Sequence, residues 1–340
     1  MNTPLLSIED LHLHFASARG VARVVQGVNL AVAKGSMHGL VGESGSGKSV
    51  TSRAVLGILP SGAVRLKEGR VRYDGRDLFE LSEEQMRAEM RGRRISMVFQ
   101  DPMTALNPAM RIGHQVAFPV RRHLGLSRQQ AAAKALDLLE QVGIPRAAHR
   151  MRAYPHELSG GQRQRVMIAI ALSCDPELIV ADEPTTALDV TVQAQIMDLL
   201  DRLRAERGLS VLLVSHDLQL IAERCDEVSV MYAGRIVESG PAKQIFAGPH
   251  HPYSQLLEGA RPQLDNEPHT VLRTIQGNPP PLTHLPPGCA FAERCPRAQD
   301  DCLEHIPAPR ESGPGRSVSC FHPVALAPAD GARTPQGVTQ

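Results

Sequence analysis

The sequence predicts an α/β protein with a parallel sheet covered by helices on both faces, followed by a small C-terminal region rich in proline and cysteine. Short apolar runs at residues 37–41, 178–181 and 211–214 alternate with segments of helical spacing, as expected for strands buried on both faces. Seventeen of the 26 prolines follow residue 240, and four of the six cysteines follow residue 288. We therefore expect a large domain at residues 1–245, a small one at 246–323 and a disordered tail at 324–340.

The composition excludes several classes of protein. Lys plus Arg number 37 and Asp plus Glu number 36, so the formal charge is only +1 and gives no bulk attraction to nucleic acid. Aromatic residues make up 3% with no Trp, which disfavours a surface for stacking bases or sugars. The N-terminal residues lack the basic start and apolar run of a signal peptide, and no uncharged run approaches the ~20 residues that span a bilayer. We expect a cytosolic chain with reduced cysteines.

Local patterns fill in the elements between the apolar runs. Alternation at residues 7–15 and 24–32 predicts an antiparallel ribbon with a turn near residues 18–20. Residues 127–142 carry Ala132, Ala135, Leu136, Leu139 and Val142 at helical spacing, and Gly143 is the predicted end of that helix. We expect the middle of the chain, about residues 101–165, to form a helical subdomain.

Residues 42–49 form a glycine-rich loop between an apolar run and a helix-compatible segment. In this pattern the glycines let backbone N–H groups turn inward, and the helix that follows adds positive potential, so the loop holds polyphosphate. We expect Lys48 to reach the β- and γ-phosphates and the Ser49 hydroxyl to bind Mg²⁺. The predicted nucleotide-binding residues are Gly42, Glu43, Ser44, Gly45, Ser46, Gly47, Lys48, Ser49 and Val50.

Two adjacent carboxylates offer a second cation ligand, besides Ser49, and a general base. Asp182 and Glu183 directly follow the apolar run at residues 178–181, and the carboxyl edge of a parallel sheet is where nucleotides bind. We expect Asp182 to hold Mg²⁺ and Glu183 to act as the general base on the attacking water.

A second segment that can bind an anion precedes the apolar run at residues 178–181. The signature segment, Leu158, Ser159, Gly160, Gly161 and Gln162, places two glycines at a helix start. With it, residues 5–245 resemble the ATP-binding cassette (ABC) family. The resemblance implies a P-loop NTPase fold: a RecA-like parallel core, an antiparallel β subdomain and a helical subdomain. It also implies that Phe15 stacks on adenine, that Gln100 is catalytic and helps to hold Mg²⁺, that Asp189 contacts a dimer partner, and that His216 senses the γ-phosphate.

In the ABC family two cassettes enclose two ATP molecules, and each signature segment faces the nucleotide of the partner. The resemblance therefore implies a second ATPase subunit. A single cassette, no heptad repeat and a near-zero charge favour a transporter subunit over the alternative, a soluble regulatory or nucleic-acid-associated ATPase of the same fold.

The C-terminal segments indicate one subgroup of the ABC family. Residues 251–257, 287–289 and 294–296 are similar to the extension of oligopeptide and dipeptide importer ATPases, above all to the first ATPase subunit of dipeptide importers. This implies peptide import from the cytoplasmic face of the membrane, with two permease subunits and an extracytoplasmic peptide-binding protein. The resemblance favours a heterodimer with a distinct ATPase partner, and a homodimer stays open. Nickel and glutathione importers share this subgroup, so those cargoes stay open.

Cys289, Cys295, Cys302 and Cys320 lie in a segment with little core of its own. Four reduced thiols suit tetrahedral Zn²⁺ or a [4Fe–4S] cluster. The spacings differ from the close pairs of zinc ribbons, and the subgroup resemblance favours the cluster, while free structural thiols are the third alternative. Cys174 and Cys225 lie in apolar helical stretches and are predicted to be core residues.

Overall fold

The computed structural model describes residues 3–60, 62–186, 188–260 and 275–324. In chain order the elements are β1 (Leu6–Ser17), β2 (Gly20–Val32), β3 (Met37–Val41), α1 (Lys48–Val55), β4 (Val64–Tyr73), β5 (Arg76–Asp77), α2 (Glu83–Gln85), β6 (Ile95–Val98), α3 (Pro102–Ala105), α4 (Ile112–Leu124), α5 (Arg128–Gln141), α6 (Ala147–Arg150), α7 (Gly160–Leu172), β7 (Leu178–Asp182), α8 (Val190–Arg207), β8 (Ser210–Ser215), α9 (Leu218–Arg224), β9 (Glu227–Tyr232), β10 (Arg235–Pro241), α10 (Ala242–Ala247), α11 (Pro252–Gly259), α12 (Asp300–Glu304), β11 (Arg310–Gly313) and β12 (Arg316–Val318).

Two sheets organise these elements. The larger has the order β11-β12-β10-β9-β3-β8-β7-β6, and its strands from β9 to β6 are parallel. Every residue of β3, β7 and β8 is buried, which explains why those strands read as continuous apolar runs. The smaller sheet, β2-β1-β4-β5, is antiparallel and contains the predicted ribbon of β1 and β2. The predicted α/β fold is confirmed.

The section between β6 and β7 is helical. Helix α5 begins after Ser127, whose Oγ accepts a hydrogen bond from the backbone N–H of Gln130. Its buried face carries Ala131, Ala135, Leu138 and Leu139, whereas Ala132 is exposed. Ala132 fits the predicted helical spacing yet lies on the exposed face, because an alanine is too small to decide which face of a helix is buried.

The C-terminal region continues the larger sheet. Strand β12 pairs with β10, and β11 pairs with β12. The ring of Phe291 lies edge-on to Tyr232 and Tyr253, with centroids 5.1 and 5.3 Å apart, so residues beyond 245 pack into the core of the large domain. The domain boundary near residue 245 stays a prediction, and the sheet crosses it.

The predicted tail lies outside the described residues except for Val324, whose N–H donates to the carbonyl oxygen of His250 over 2.7 Å. Within the described part of the chain, no helix combines the length and apolarity needed to cross a membrane.

Candidate nucleotide-binding site

Four adjacent parallel strands bring the predicted catalytic residues to one edge of the larger sheet. Strand β3 leads into the phosphate loop at residues 42–49, and β7 ends at Asp182. His216 directly follows β8, and Gln100 comes two residues after β6. Since the carboxyl edge of an open α/β sheet is its usual ligand-binding edge, the fold supports the predicted site.

The phosphate loop is shaped by close backbone contacts. Gly42 has φ 149°, and a Cβ atom there would lie 2.1 Å from the carbonyl oxygen of Met231, so only glycine fits. The Nζ atom of Lys48 donates to the carbonyl oxygens of Gly42 and Glu43 over 2.7 and 2.9 Å. Burial lowers the pKa of Lys48, and the carboxylates of Glu183, Asp182 and Glu43 oppose that shift. Ser44 and Gly45 are exposed at the tip of the loop, and Val50 is half-buried in α1.

Ser49 and Asp182 form the candidate Mg²⁺ site. The Ser49 hydroxyl donates to Oδ1 of Asp182 over 2.8 Å. Asp182 is 1% exposed; burial raises its pKa, and the hydrogen bond from Ser49 opposes the rise. Adjacent hydroxyl and carboxylate oxygens are the ligands that Mg²⁺ prefers, and a nucleotide supplies the remaining oxygens. The residues present therefore fit the ion.

The Glu183 carboxylate is contacted by side chains from three parts of the chain. Its Oε2 atom accepts hydrogen bonds from Nε2 of Gln100 over 2.8 Å and from the hydroxyl of Thr186 over 2.9 Å, and Nδ1 of His216 lies 3.3 Å away. Glu183 has φ 49°, in the left-handed region that a residue with a Cβ atom rarely adopts. The Glu183 N–H donates to the carbonyl oxygen of Val214 over 2.9 Å, which helps to hold this backbone.

These contacts bear on two of the predictions. The amide of Gln100 is directed to Glu183, and its role as a Mg²⁺ ligand stays a prediction. Thr186 was missed from the sequence, although a hydroxyl three residues after Glu183 is a signal that could have found it. Phe15 is 9% exposed and belongs to the apolar cluster beneath the small sheet, so its stacking on adenine also stays a prediction.

The signature segment makes a helix N-terminus. Ser159 is the N-cap of α7, and its hydroxyl accepts from the N–H of Gln162 over 3.3 Å. A Cβ atom at Gly161 would lie 2.6 Å from Cγ1 of Val192, so glycine lets α7 pack closely on α8. Asp189 caps α8 by accepting from the N–H of Val192 over 2.9 Å. Among the hydrogen bonds of the described residues, none joins the signature segment to the phosphate loop of the same chain.

Comparisons with known proteins agree with this geometry. The sequence profile of the ABC transporter family matches residues 25–186, and that of the oligopeptide/dipeptide transporter C-terminal region matches residues 237–302. A probable D,D-dipeptide transport ATP-binding protein of Escherichia coli is 46% identical over 95% of this chain and 98% of its own. The chain belongs to the ABC transporter family. The family predicted from the motifs is therefore confirmed.

Other members of the ABC family are similar over comparable lengths. A dipeptide transport ATP-binding protein of Bacillus subtilis is 44% identical over 93% of this chain and 94% of its own. Among solved structures, an ATP-binding cassette dimer bound to ADP and Pi after hydrolysis has a TM-score of 0.62 and 26% identity, covering 70% of this chain and 98% of that one. A subunit of an ABC transporter complex of Clostridium perfringens has a TM-score of 0.60 and 29% identity over 72% and 91%.

The ABC subunit's four C-terminal cysteines converge on one cavity. Cys289, Cys295, Cys302 and Cys320 all line it, and the N–H of Cys289 donates to the carbonyl oxygen of Cys302 over 2.8 Å. Burial, together with the other three cysteines, raises the pKa of Cys320 to about 11, against an opposing backbone hydrogen bond from His322. Asp301 and His322 lie at the same place, with Nε2 of His322 2.9 Å from Oδ1 of Asp301. Cys174 and Cys225 are buried and free, as predicted for core residues.

A contact on the phosphate loop of this ABC subunit was missed from the sequence. Arg294, next to Cys295, donates from both terminal nitrogens to the carboxylate of Glu43 over 2.7 and 2.9 Å. Tyr253 accepts from the N–H of Glu43 over 2.9 Å. No local pattern signals a pair that is 251 residues apart in the chain.

Proposed function

We propose that this chain is the ATP-hydrolysing subunit that energises peptide import as part of an ABC transporter, as its sequence predicts. The observation that carries the ATPase activity is the set of donors on Glu183, beside the Ser49 and Asp182 pair. The relatives named as dipeptide and peptide transport proteins, together with the match to the C-terminal region of oligopeptide/dipeptide transporters, support peptide as the cargo.

The hydrolysis follows from the positions of these side chains. Glu183 accepts the proton of a water molecule as the water oxygen attacks the γ-phosphorus; the bond from that phosphorus to the β,γ-bridging oxygen breaks, and ADP leaves. Gln100 and Thr186 orient the Glu183 carboxylate, and His216 lies where it can contact the γ-phosphate. Ser49 and Asp182 would hold Mg²⁺, with Gln100 as the third ligand that the family resemblance implies, and the ion would offset the negative charge of the phosphates.

A second ATPase subunit is proposed to complete each site. The N-terminus of α7 carries Ser159 at an exposed position, and Val190, beside Asp189, is 83% exposed. An exposed valine beside an exposed helix N-terminus that can bind an anion is typical of a surface that a partner subunit covers. We propose a heterodimer in which Leu158, Ser159, Gly160, Gly161 and Gln162 face the partner's ATP and Asp189 contacts the partner.

The helical section is proposed to dock a permease. A groove between α4 and the start of α5 is lined by apolar residues and by four arginines, with no acidic side chain on its lining. Phe118 is 63% exposed at its wall, and Gly113 packs against Met151, whose Sδ atom would lie 2.8 Å from a Cβ atom at Gly113. A permease helix with one apolar face and acidic side chains fits this surface. The chain would then sit on the cytoplasmic face of the membrane, with a peptide-binding protein on the far side.

The cysteine cavity is proposed to hold a [4Fe–4S] cluster. A tetrahedral Zn²⁺ ion at its usual Zn–S distance places the four sulfurs about 3.8 Å apart. Among the described residues, the only set of three or more candidate ligands within 4.8 Å of one another is Asp301, Cys302 and His322. The four sulfur atoms thus do not form a tetrahedral zinc site as they stand, and four thiols that line one cavity support the cluster as the proposed occupant. Iron and acid-labile sulfide in anaerobically purified protein would support the cluster; zinc alone, or no metal, would exclude it.

The assembly is tested by purifying the tagged chain from membranes. Two polytopic proteins and a second ABC subunit should co-purify in equal amounts. A chain recovered free of membrane proteins, with nucleic acid or soluble factors, would contradict the proposal and favour the soluble alternative.

A further inference from the structure

Two residues of the C-terminal region form hydrogen bonds with Glu43 of the phosphate loop. The carboxylate of Glu43 accepts both hydrogen bonds of the Arg294 fork, its N–H donates to Tyr253, and its carbonyl oxygen accepts from Lys48 over 2.9 Å. Two of the three polar groups of Glu43 are thus bound by residues beyond position 245. The third binds the lysine expected to contact the β- and γ-phosphates.

Arg294 is itself held rigidly. Its side chain is 6% exposed, and that of Glu43 is 23% exposed. The guanidinium also donates to the hydroxyl of Tyr232 over 3.1 Å and, through Nε, to the carbonyl oxygen of Gln276 over 2.9 Å. It lies over the rings of Tyr232 and Phe291, 5.7 and 5.9 Å from their centroids. A forked, largely buried ion pair with this much support fixes both partners in one geometry.

We infer that Arg294 is a positioning residue for ATP binding: it fixes Glu43 and, through the Glu43 carbonyl, the ammonium group of Lys48. This inference rests on the proposed ATPase function. Without Arg294 the carboxylate of Glu43 loses its buried partner, and the loop can turn to expose it to water. The carbonyl that anchors Lys48 then moves, and the lysine is no longer preset for the phosphates.

Arg294 belongs to a helical turn that lies between two cysteines of the cavity. Arg294 ends the helical turn Ala292–Arg294, which joins Cys289 to Cys295. The N–H of Ala292 donates to the carbonyl oxygen of Cys289 over 3.0 Å, and the N–H of Cys295 donates to that of Ala292 over 3.1 Å. Any contact that holds Cys289 and Cys295 in place therefore also holds the backbone from which Arg294 extends. Through Arg294 and Glu43, the arrangement of the cysteines in the cavity affects the affinity for ATP.

Titration of the purified complex with a fluorescent ATP analogue, alongside KM and kcat, tests the inference. We expect Arg294→Gln and Glu43→Gln each to weaken binding about tenfold and to raise KM more than they lower kcat. The double variant should be no weaker than either single variant, because both break one contact. Arg294→Lys should restore binding only in part, since lysine cannot form the fork. The control is Arg76→Gln, which breaks an exposed pair with Glu89 and should leave binding unchanged.

Cys295→Ser extends the test to the cavity. We expect it to weaken binding of the analogue when Glu43 is present and to have no further effect in Glu43→Gln. Single variants within twofold of wild type, or additive losses in the double variant, would overturn the inference. If Arg294→Gln fails to fold, Arg294→Lys, which keeps the charge but not the fork, decides in its place. Wild-type protein that fails to bind the analogue would contradict the ATPase function itself.

Discussion

Nε2 of Gln100 donates a hydrogen bond to Oε2 of Glu183 over 2.8 Å. It joins the start of the helical section, after β6, to the carboxylate proposed as the general base at the end of β7. A movement of the helical section therefore acts directly on the orientation of Glu183. This contact gives a physical route by which the proposed docking of a permease can be coupled to hydrolysis.

Gln100→Ala should slow ATP hydrolysis without weakening the binding of ATP. We expect kcat for ATP hydrolysis to fall about tenfold, because Glu183 loses one of the two hydrogen bonds that orient its carboxylate, while the affinity for ATP stays within threefold. Steady-state kinetics and equilibrium binding measure the two quantities. Gln219→Ala, which removes an exposed amide paired with Glu223, is the matched control; an equal loss in both variants would argue against a specific role for Gln100.

Asp182→Asn should change the requirement for Mg²⁺. The amide keeps a polar contact with the Ser49 hydroxyl but removes the charge that attracts the cation, so we expect the Mg²⁺ concentration for half-maximal hydrolysis to rise at least about tenfold. ATP binding measured in EDTA should stay near the wild-type value. An unchanged Mg²⁺ requirement would remove Asp182 from the metal site.

His251 should make the protein sensitive to acid. Burial lowers the pKa of His251 to about 3, and its Nδ1 accepts from the N–H of Tyr253 over 3.0 Å. The unfolded chain binds the proton near pH 6.5, so between pH 6.5 and 3 acid favours unfolding. We expect this residue to lower the free energy of unfolding by up to about 1.4 kcal/mol per pH unit in that range.

The comparison variant is His251→Asn, because asparagine can still cap α11 without titrating. Denaturant unfolding at pH 7, 6 and 5 should give a shallower pH dependence for this variant than for wild type. Parallel curves for the two proteins would contradict a buried, neutral His251.

The sequence predicted the parts of the site whose chemistry is local. The phosphate loop, the pair Asp182 and Glu183, and the signature segment each lie within eight consecutive residues, and buried strands precede the first two. Their placement at one sheet edge followed from the parallel topology. Contacts between distant segments had no such signal: nothing near Glu43 indicates Arg294. Strands β11 and β12, of four and three residues, are too short and too polar to show a period, so their addition to the sheet was missed.

The central claim is that Glu183 drives ATP hydrolysis for peptide import. Its most direct test is the ATPase rate of the complete transporter in liposomes, with and without the peptide-loaded binding protein, for wild type and Glu183→Gln. We expect the loaded binding protein to stimulate wild-type hydrolysis, and Glu183→Gln to bind ATP yet hydrolyse it about 10²-fold or more slowly. Hydrolysis by Glu183→Gln at the wild-type rate, or a wild-type rate that does not respond to the loaded binding protein, would contradict the account.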